Sequence, residues 1–347
     1  MLPKRAVLVG ALCAFSLYAT SSHADIKWYG DYSTNNFLQW GNLQCQAPLV
    51  CPARNSAPTS GPLQLWSWST PAADMPPPLP WGPQIALRVD IAQIPYPTNS
   101  TVRAEASGSL EGGSVALYGS TTDNSQRYYS WSTYIPTGFP DATATNTNLF
   151  HVLTQWHHQS YCWSPPLGVN LGRTTARNQS GPYALTLDSV EEFPPADPAV
   201  GQHDDRLWSA TLKKGVWHNF VVHVFWSSTY GRDGVPDGWV EFWHSTGTDA
   251  PVYQTLQACH TRTGDPKCHR RTLFNWGSGR ALCSQDTSNP ALKTDGSVMY
   301  NYLKQGLYRD NAEASEEIIW HKGMVVTTGP PAGLVDAAVS GTSGPFY

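Results

Sequence analysis

Apolar and polar residues alternate with a period of two along most of this 347-residue chain, in short runs split by Gly, Pro, Asn and Ser clusters. Side chains two apart share one face of an extended strand, so each run reads as a strand with one buried face. The clearest are "RYYSWSTYI" (127–135), "NLFHVLTQWHH" (148–158), "WHNFVVHVFWS" (217–227), "GWVEFWH" (238–244), "NYLKQGLYR" (301–309) and "EIIWHKGMVV" (317–326). Helical periodicity is hard to find, and no repeat of fixed length appears. The pattern predicts an all-β protein, a single curved β-sandwich of the jelly-roll kind with long loops. Residues 159–205 read as a long excursion over the sandwich. Residues 245–297, which hold three cysteines and the basic cluster "KCHRR" (267–271), read as a disulfide-pinned insertion.

The ends refine this picture. Lys4 and Arg5 precede the apolar run "AVLVGALCAFSLYA", and "TSSHA" supplies small residues for cleavage after Ala24. The run is too short to span a bilayer comfortably. Residues 1–24 are therefore expected to be a signal peptide, residues 25–327 the folded domain and residues 328–347 a flexible tail. The mature protein is expected outside the cytoplasm, extracellular or periplasmic. Six cysteines then remain, Cys45, Cys51, Cys162, Cys259, Cys268 and Cys283, an even number that favours disulfides in an exported chain. Cys45 and Cys51 are the easiest local pair, and the spacings do not match a zinc ribbon or finger. "NST" at Asn99 and "NQS" at Asn178 match the glycosylation pattern of a eukaryotic host.

Charge narrows the function. Without Lys4 and Arg5, 20 basic residues face 26 acidic ones, a balance of −6, whereas nucleic-acid binders carry a basic excess. The 15 Trp and 16 Tyr suit carbohydrate contact as well as a large β core. Three runs place polar side chains at period two. Arg103 and Glu105 share a face in "STVRAEASG", Gln155 and His157 in "LTQWHHQ", and Tyr302, Lys304, Gly306 and Tyr308 in "YLKQGLY". A face with two phenols, an ammonium and a bare glycine suits a groove floor better than a core, with Gly306 leaving room for a ligand.

"RAE", "QWH" and "YLKQGLY", in that order, resemble the three-strand signature of jelly-roll polysaccharide lyases. The framework "GDYSTNNFLQW", "YYSWSTYIP", "WHNFVVHVFWSSTYGRDGVPDGWVEFW" and "YLKQGLYRD" is similar to the heparin lyase I and glucuronan lyase branch, which is related to jelly-roll alginate lyases. Ala106 and Ser107 stand where the alginate type has Leu-Arg, and Trp156 where it has a small aliphatic residue. The resemblance implies β-elimination on a 4-linked uronate, giving a 4,5-unsaturated uronate end. Such chemistry needs carboxylate neutralisation, a base for the C5 proton and an acid for the departing O4.

The resemblance implies Arg103 and Gln155 as neutralisers, His157 as base and Tyr308 as acid, or as both acid and base. It implies Lys304 as a substrate-binding cation that would also favour the Tyr308 phenolate. Glu105 is read as an orienting partner for Arg103, Tyr302 as lining a subsite and Arg271 as within reach of an anionic polymer. Gln39 could correspond to a groove glutamine of the heparin branch. The implied partner is an anionic polysaccharide, with neither nucleic acid nor membrane, bound by a monomer. A glucuronan-like polyuronide fits the charge of −6 better than heparin does. No cofactor is required, and a structural calcium ion near Asp31 and Asp237 is allowed. Two rivals remain open: a glycoside hydrolase using Asp237 and Glu241, which share a face, and a non-catalytic carbohydrate-binding protein.

Overall fold

The computed structural model describes residues 26–30, 32–46, 49–80, 85–91, 101–108, 126–142, 150–158, 165–173, 181–191, 203–226, 232–270, 301–310 and 315–331. Residues 1–25, with the expected signal peptide and its cleavage after Ala24, lie outside them, as do Asp31, Asn99, Asn178, Cys162, Arg271, Cys283 and residues 332–347 of the expected tail.

Seventeen strands are present among the described residues: β1 (Ile26–Gly30), β2 (Asn42–Cys45), β3 (Leu63–Ser67), β4 (Ile85–Ile91), β5 (Thr101–Ser107), β6 (Gln126–Ile135), β7 (His151–His158), β8 (Leu167–Arg173), β9 (Tyr183–Glu191), β10 (His203–Thr211), β11 (Val216–Phe225), β12 (Trp239–Thr246), β13 (Val252–Tyr253), β14 (His260–Arg262), β15 (Asp265–His269), β16 (Asn301–Asp310) and β17 (Glu317–Thr327). They form two antiparallel sheets. The ten-stranded sheet runs β14-β15-β12-β11-β6-β17-β4-β3, with β1 on β17 and β13 on β12. The seven-stranded sheet runs β10-β9-β8-β7-β16-β5-β2. This is the all-β, curved sandwich that the alternation predicts, and each of the six clear runs is a strand.

Two regions differ from expectation. Residues 159–205 do not form an excursion: β8, β9 and the start of β10 lie there and extend the seven-stranded sheet. Residues 245–270 build β13 to β15, of which β13 and β15 pair with β12. Gly264, at φ 79°, makes the tight β14–β15 turn, where a left-handed backbone favours glycine. Disulfides join Cys45 to Cys51 and Cys259 to Cys268, so the expected local pair and a pinned hairpin are both present.

The core fills the space between the sheets. Trp156, Leu303 and Leu307 enter it from the seven-stranded sheet, and Phe220, Val222, Phe242 and Ile319 from the other. A smaller cluster of Leu79, Ala86, Trp217 and Trp320 packs outside the ten-stranded sheet. Three polar ties also cross the core and end on or beside β16. Tyr32 Oη donates to Gln305 Oε1 at 3.0 Å. Glu317 lies 2.8 Å from His151 Nε2 and 3.2 Å from Arg309 Nε, all fully buried. His321 Nε2 donates to the Gly306 carbonyl at 3.0 Å, so Nδ1 accepts from Thr133 Oγ1 at 2.9 Å. Removing one partner of the charged Glu317–Arg309 tie would leave the other charge buried, which typically costs about 3–5 kcal/mol.

His321 is a neutral, fully buried histidine, with burial pushing it down to about 4. Buried His218 and its half-buried neighbour His244 behave alike. His218 Nε2 donates to the Lys213 carbonyl at 2.8 Å, and His244 Nε2 lies 3.1 Å from His218 Nδ1. Burial lowers His218 to about 4 and His244 to about 3. Between pH about 6.5 and 4 the unfolded chain binds protons that these rings refuse, so native stability falls as pH falls through that window. At the fully buried His321 the shift is worth about 3 kcal/mol. The melting temperature should drop steadily from pH 7 to pH 4.5, and His321→Gln, which keeps a donor and an acceptor, should reduce the drop. A melting temperature independent of pH over that range contradicts this account.

Candidate functional site

The site lies on the outer face of the seven-stranded sheet, where β5, β16 and β7 are adjacent. β16 pairs with β5 on one side, aligning Tyr308 with Arg103, Gly306 with Glu105 and Lys304 with Ser107. On the other side it pairs with β7, aligning Lys304 with Gln155 and Tyr302 with His157. Alternation explains the division of β16. Leu303, Gln305, Leu307 and Arg309 turn to the core, and Tyr302, Lys304, Gly306 and Tyr308 to the outer face.

Glu105 is the hub. Its carboxylate is 1% exposed and accepts a 2.5 Å hydrogen bond from Gln155 Nε2. Lys304 Nζ lies 3.8 Å and Arg103 Nη1 3.9 Å from its Oε2, which makes no hydrogen bond of its own. β7 and β5 flank β16 on opposite sides, so the Gln155–Glu105 bond crosses β16 where Gly306 offers no side chain. Burial pushes the Lys304 ammonium below the ordinary lysine range; Glu105 opposes that shift and Arg103 adds to it. Arg103 is the more open cation, with 27% of its side chain exposed and its guanidinium 4.1 Å from the centre of the Tyr308 ring. Phe150 packs edge-on against Tyr308 at 5.0 Å. Two fixed cations against one carboxylate leave the cluster with a net charge of +1.

His157 stands apart from this group. Its ring lies 5.5 Å from that of Tyr302, and the Lys304 ammonium is 5.4 Å from the Tyr302 ring. Tyr302 and Tyr308 are six residues apart on β16, about 20 Å at strand rise. The described residues thus unite Arg103, Glu105, Gln155, Lys304 and Tyr308, with His157 and Tyr302 farther along the same strands. Arg271 falls outside the described residues.

Gly306 has a role that the sequence does not suggest. A Cβ there would sit 2.2 Å from the Ala104 carbonyl oxygen and 2.6 Å from the Glu105 Cα. Close approach of β5 requires the glycine, rather than space for a ligand. Gln39 is also placed differently: its Oε1 accepts from the Tyr32 amide and its Nε2 donates to Ser33. Gln44, on β2, takes the position beside Glu105 and carries a buried Oε1 without a hydrogen bond. Alternation within "NLQC" was the only signal for it.

Of the carboxylates of the hydrolase reading, Glu241 lies on the ten-stranded sheet and Asp237 in the segment just before β12. Glu241, on β12, pairs with His223 at 2.8 Å and faces away from the core that holds Phe242. Asp237 pairs with Arg262 at 2.9 Å. Among the described residues no group of three or more His, Cys, Asp or Glu is placed to hold a metal ion. No helix among them is long and apolar enough to cross a membrane.

A family model described as polysaccharide lyase matches residues 86–325. No curated protein matches the chain. Similar solved structures include a glycoside hydrolase family 131 catalytic domain from Coprinopsis cinerea, at 13% identity and TM-score 0.43, covering 88% of this chain and 95% of that one. An alginate lyase from Klebsiella pneumoniae shows 8% identity and TM-score 0.37, covering 70% and 81%. An alginate lyase from Chlorella virus shows 9% identity and TM-score 0.36, covering 71% and 85%.

Because the clash at Gly306 is with backbone, Gly306→Ala should push β5 from β16 and destabilise the protein by roughly 2–3 kcal/mol in urea unfolding. A midpoint within error of the parent's would show that the strands are not held this closely.

Proposed function

Since the chain belongs to the polysaccharide lyase family, being a carbon–oxygen lyase that acts on polysaccharides, we propose that it cleaves a 4-linked, uronate-containing polymer by β-elimination over β5, β16 and β7. The observation that carries this reading is the +1 cluster beside Tyr308, in which Arg103 and Lys304 outweigh Glu105.

Elimination removes the C5 proton, forms the C4–C5 double bond and breaks the C4–O4 bond, and O4 leaves with a proton. Charge develops on the uronate carboxylate as C5 loses its proton, so fixed donors there lower the barrier. Arg103 is open enough to meet that carboxylate, and always charged. Lys304 adds positive potential from beneath. Gln155, held by one Nε2 hydrogen on Glu105, keeps its second N–H as a donor for the uronate carboxylate. Glu105 keeps the two cations and the amide on one point, so we assign it positioning and not proton transfer.

Tyr308, beside Arg103, takes the C5 proton as phenolate and returns it to O4 as phenol, which balances both transfers on one face of the sugar. The second reading makes His157 the base and Tyr308 the acid. Their separation along β16 favours the first, with His157 and Tyr302 lining a neighbouring subsite. Fixed cations supply the neutralisation, so this route calls on no cofactor, and a calcium ion would be structural.

One net positive charge suits a polymer with a single carboxylate per unit better than a densely sulfated one. A glucuronan-like polyuronide is thus favoured over heparin. The two disulfides agree with an oxidising compartment and so with secretion after removal of residues 1–24.

Tyr308→Phe should lower kcat by about 10³-fold or more with little change in polymer affinity, while His157→Ala should keep a substantial part of kcat. Near-parental turnover in Tyr308→Phe contradicts the mechanism, and loss of all turnover in His157→Ala restores the two-residue division.

A further inference from the structure

Beyond β7, the outer face of the seven-stranded sheet carries a second polar arrangement that the reaction leaves unused. The register aligns Gln155 with Gly168 of β8, Gly168 with Asp188 of β9 and Asp188 with Arg206 of β10, a row running across the strands. Leu167, Val169 and Leu171 fill the core, so Gly168, Asn170 and Gly172 face outward with the site. Neighbouring side chains occupy the room the two glycines leave. A Cβ at Gly168 would lie 3.1 Å from Asn170 Oδ1, and one at Gly172 would lie 2.5 Å from Arg206 Nη2. An amide and a guanidinium therefore lie flat against the sheet as a shelf.

Asp188 ties the shelf together. Its Oδ2 accepts from Asn170 Nδ2 at 2.9 Å and from Thr186 Oγ1 at 2.7 Å, and its Oδ1 lies 3.5 Å from Arg206 Nε. Asn170 Oδ1 is buried without a hydrogen-bond partner. Asp188 and Arg206 keep 26% and 42% of their side chains exposed. The shelf thus offers the part-exposed Asp188 carboxylate as an acceptor and spare N–H groups at Arg206, with no net charge. A sugar hydroxyl can donate to the Asp188 carboxylate, whereas a substrate carboxylate would face it as a second anion with nothing to donate.

We propose that this shelf binds a neutral, hydroxyl-bearing sugar of the polymer whose uronate occupies the Arg103–Tyr308 cluster. β9 lies three strand spacings from β16, about 14 Å, and a pyranose unit is about as long as one spacing. A polymer crossing the strands would place its third unit from the uronate here. Strict alternation of uronate and neutral sugar puts a neutral unit at that place, and a homopolyuronide puts a carboxylate there. The preferred substrate class is then an unsulfated, alternating glucuronate-containing heteropolysaccharide, ranked above the homopolymeric glucuronan that the charge of the cluster alone favours. The inference rests on the lyase reading of the groove.

The test is calorimetric binding to the full-length Tyr308→Phe protein of two probes: 4-linked glucuronate octasaccharide, and an octasaccharide alternating glucuronate with glucose. The alternating probe should bind about tenfold more tightly, and adding Asp188→Asn should reduce that preference to twofold or less. Equal affinities, no binding of either probe, or a preference that survives Asp188→Asn overturns the proposal. Should Asp188→Asn fail to fold, Arg206→Met, at a more exposed position, replaces it. That variant leaves Asp188 unopposed and should weaken the all-glucuronate probe at least threefold; no change overturns the proposal equally. Unsaturated product formation by the parent protein reports separately on the lyase reading, so failure of the shelf and failure of the reaction are distinguishable.

Discussion

Everything at the site depends on one buried carboxylate. Glu105 draws an ammonium from its own face of β16, a guanidinium from two residues away on β5 and an amide from β7 to the same point. Lys304 and Gln155 are as buried as Glu105, and an ammonium in that position without a counter-charge would be costly. The carboxylate makes such a cationic floor tolerable, and by cancelling only one of two positive charges it leaves a surplus suited to one substrate carboxylate. Fixed charge of this kind needs no reorganisation when negative charge develops in a transition state.

Glu105 can serve in this way only because β16 is held from both sides and from beneath. Gly306 lets β5 approach and lets the Gln155 amide pass over the strand. The buried His321 fixes the Gly306 carbonyl from the opposite sheet, Tyr32 holds Gln305, and Glu317 engages Arg309. Every second residue of β16 thus serves the face, and of those between, Gln305 and Arg309 are polar anchors in the core beside Leu303 and Leu307. Stability and site geometry share the same strand.

Much of this was legible in the sequence, for particular reasons. Period-two alternation gave β6, β7, β11, β12, β16 and β17, because their apolar faces are long and unbroken. β9 alternates as cleanly, with Tyr183, Leu185 and Leu187 inward, but proline-rich flanks disguise it as loop. In β8 the outward glycines that make the shelf look like turn signals. The shared faces of Arg103 with Glu105 and of Lys304 with Tyr308 could also be read. The hub role of Glu105, the part of Gly306 and the distance of His157 from Tyr308 could not, since each depends on the register between strands far apart in sequence.

The most direct measurement is ultraviolet absorbance of the 4,5-unsaturated uronate while the protein acts on glucuronan, alginate, heparin, heparan sulfate, polygalacturonate and an alternating glucuronate–glucose polymer. Elimination alone creates that chromophore. The account predicts a rise with at least one unsulfated uronan. New reducing ends without absorbance would mean hydrolysis, and would contradict the assignment of Arg103, Lys304 and Tyr308 to elimination.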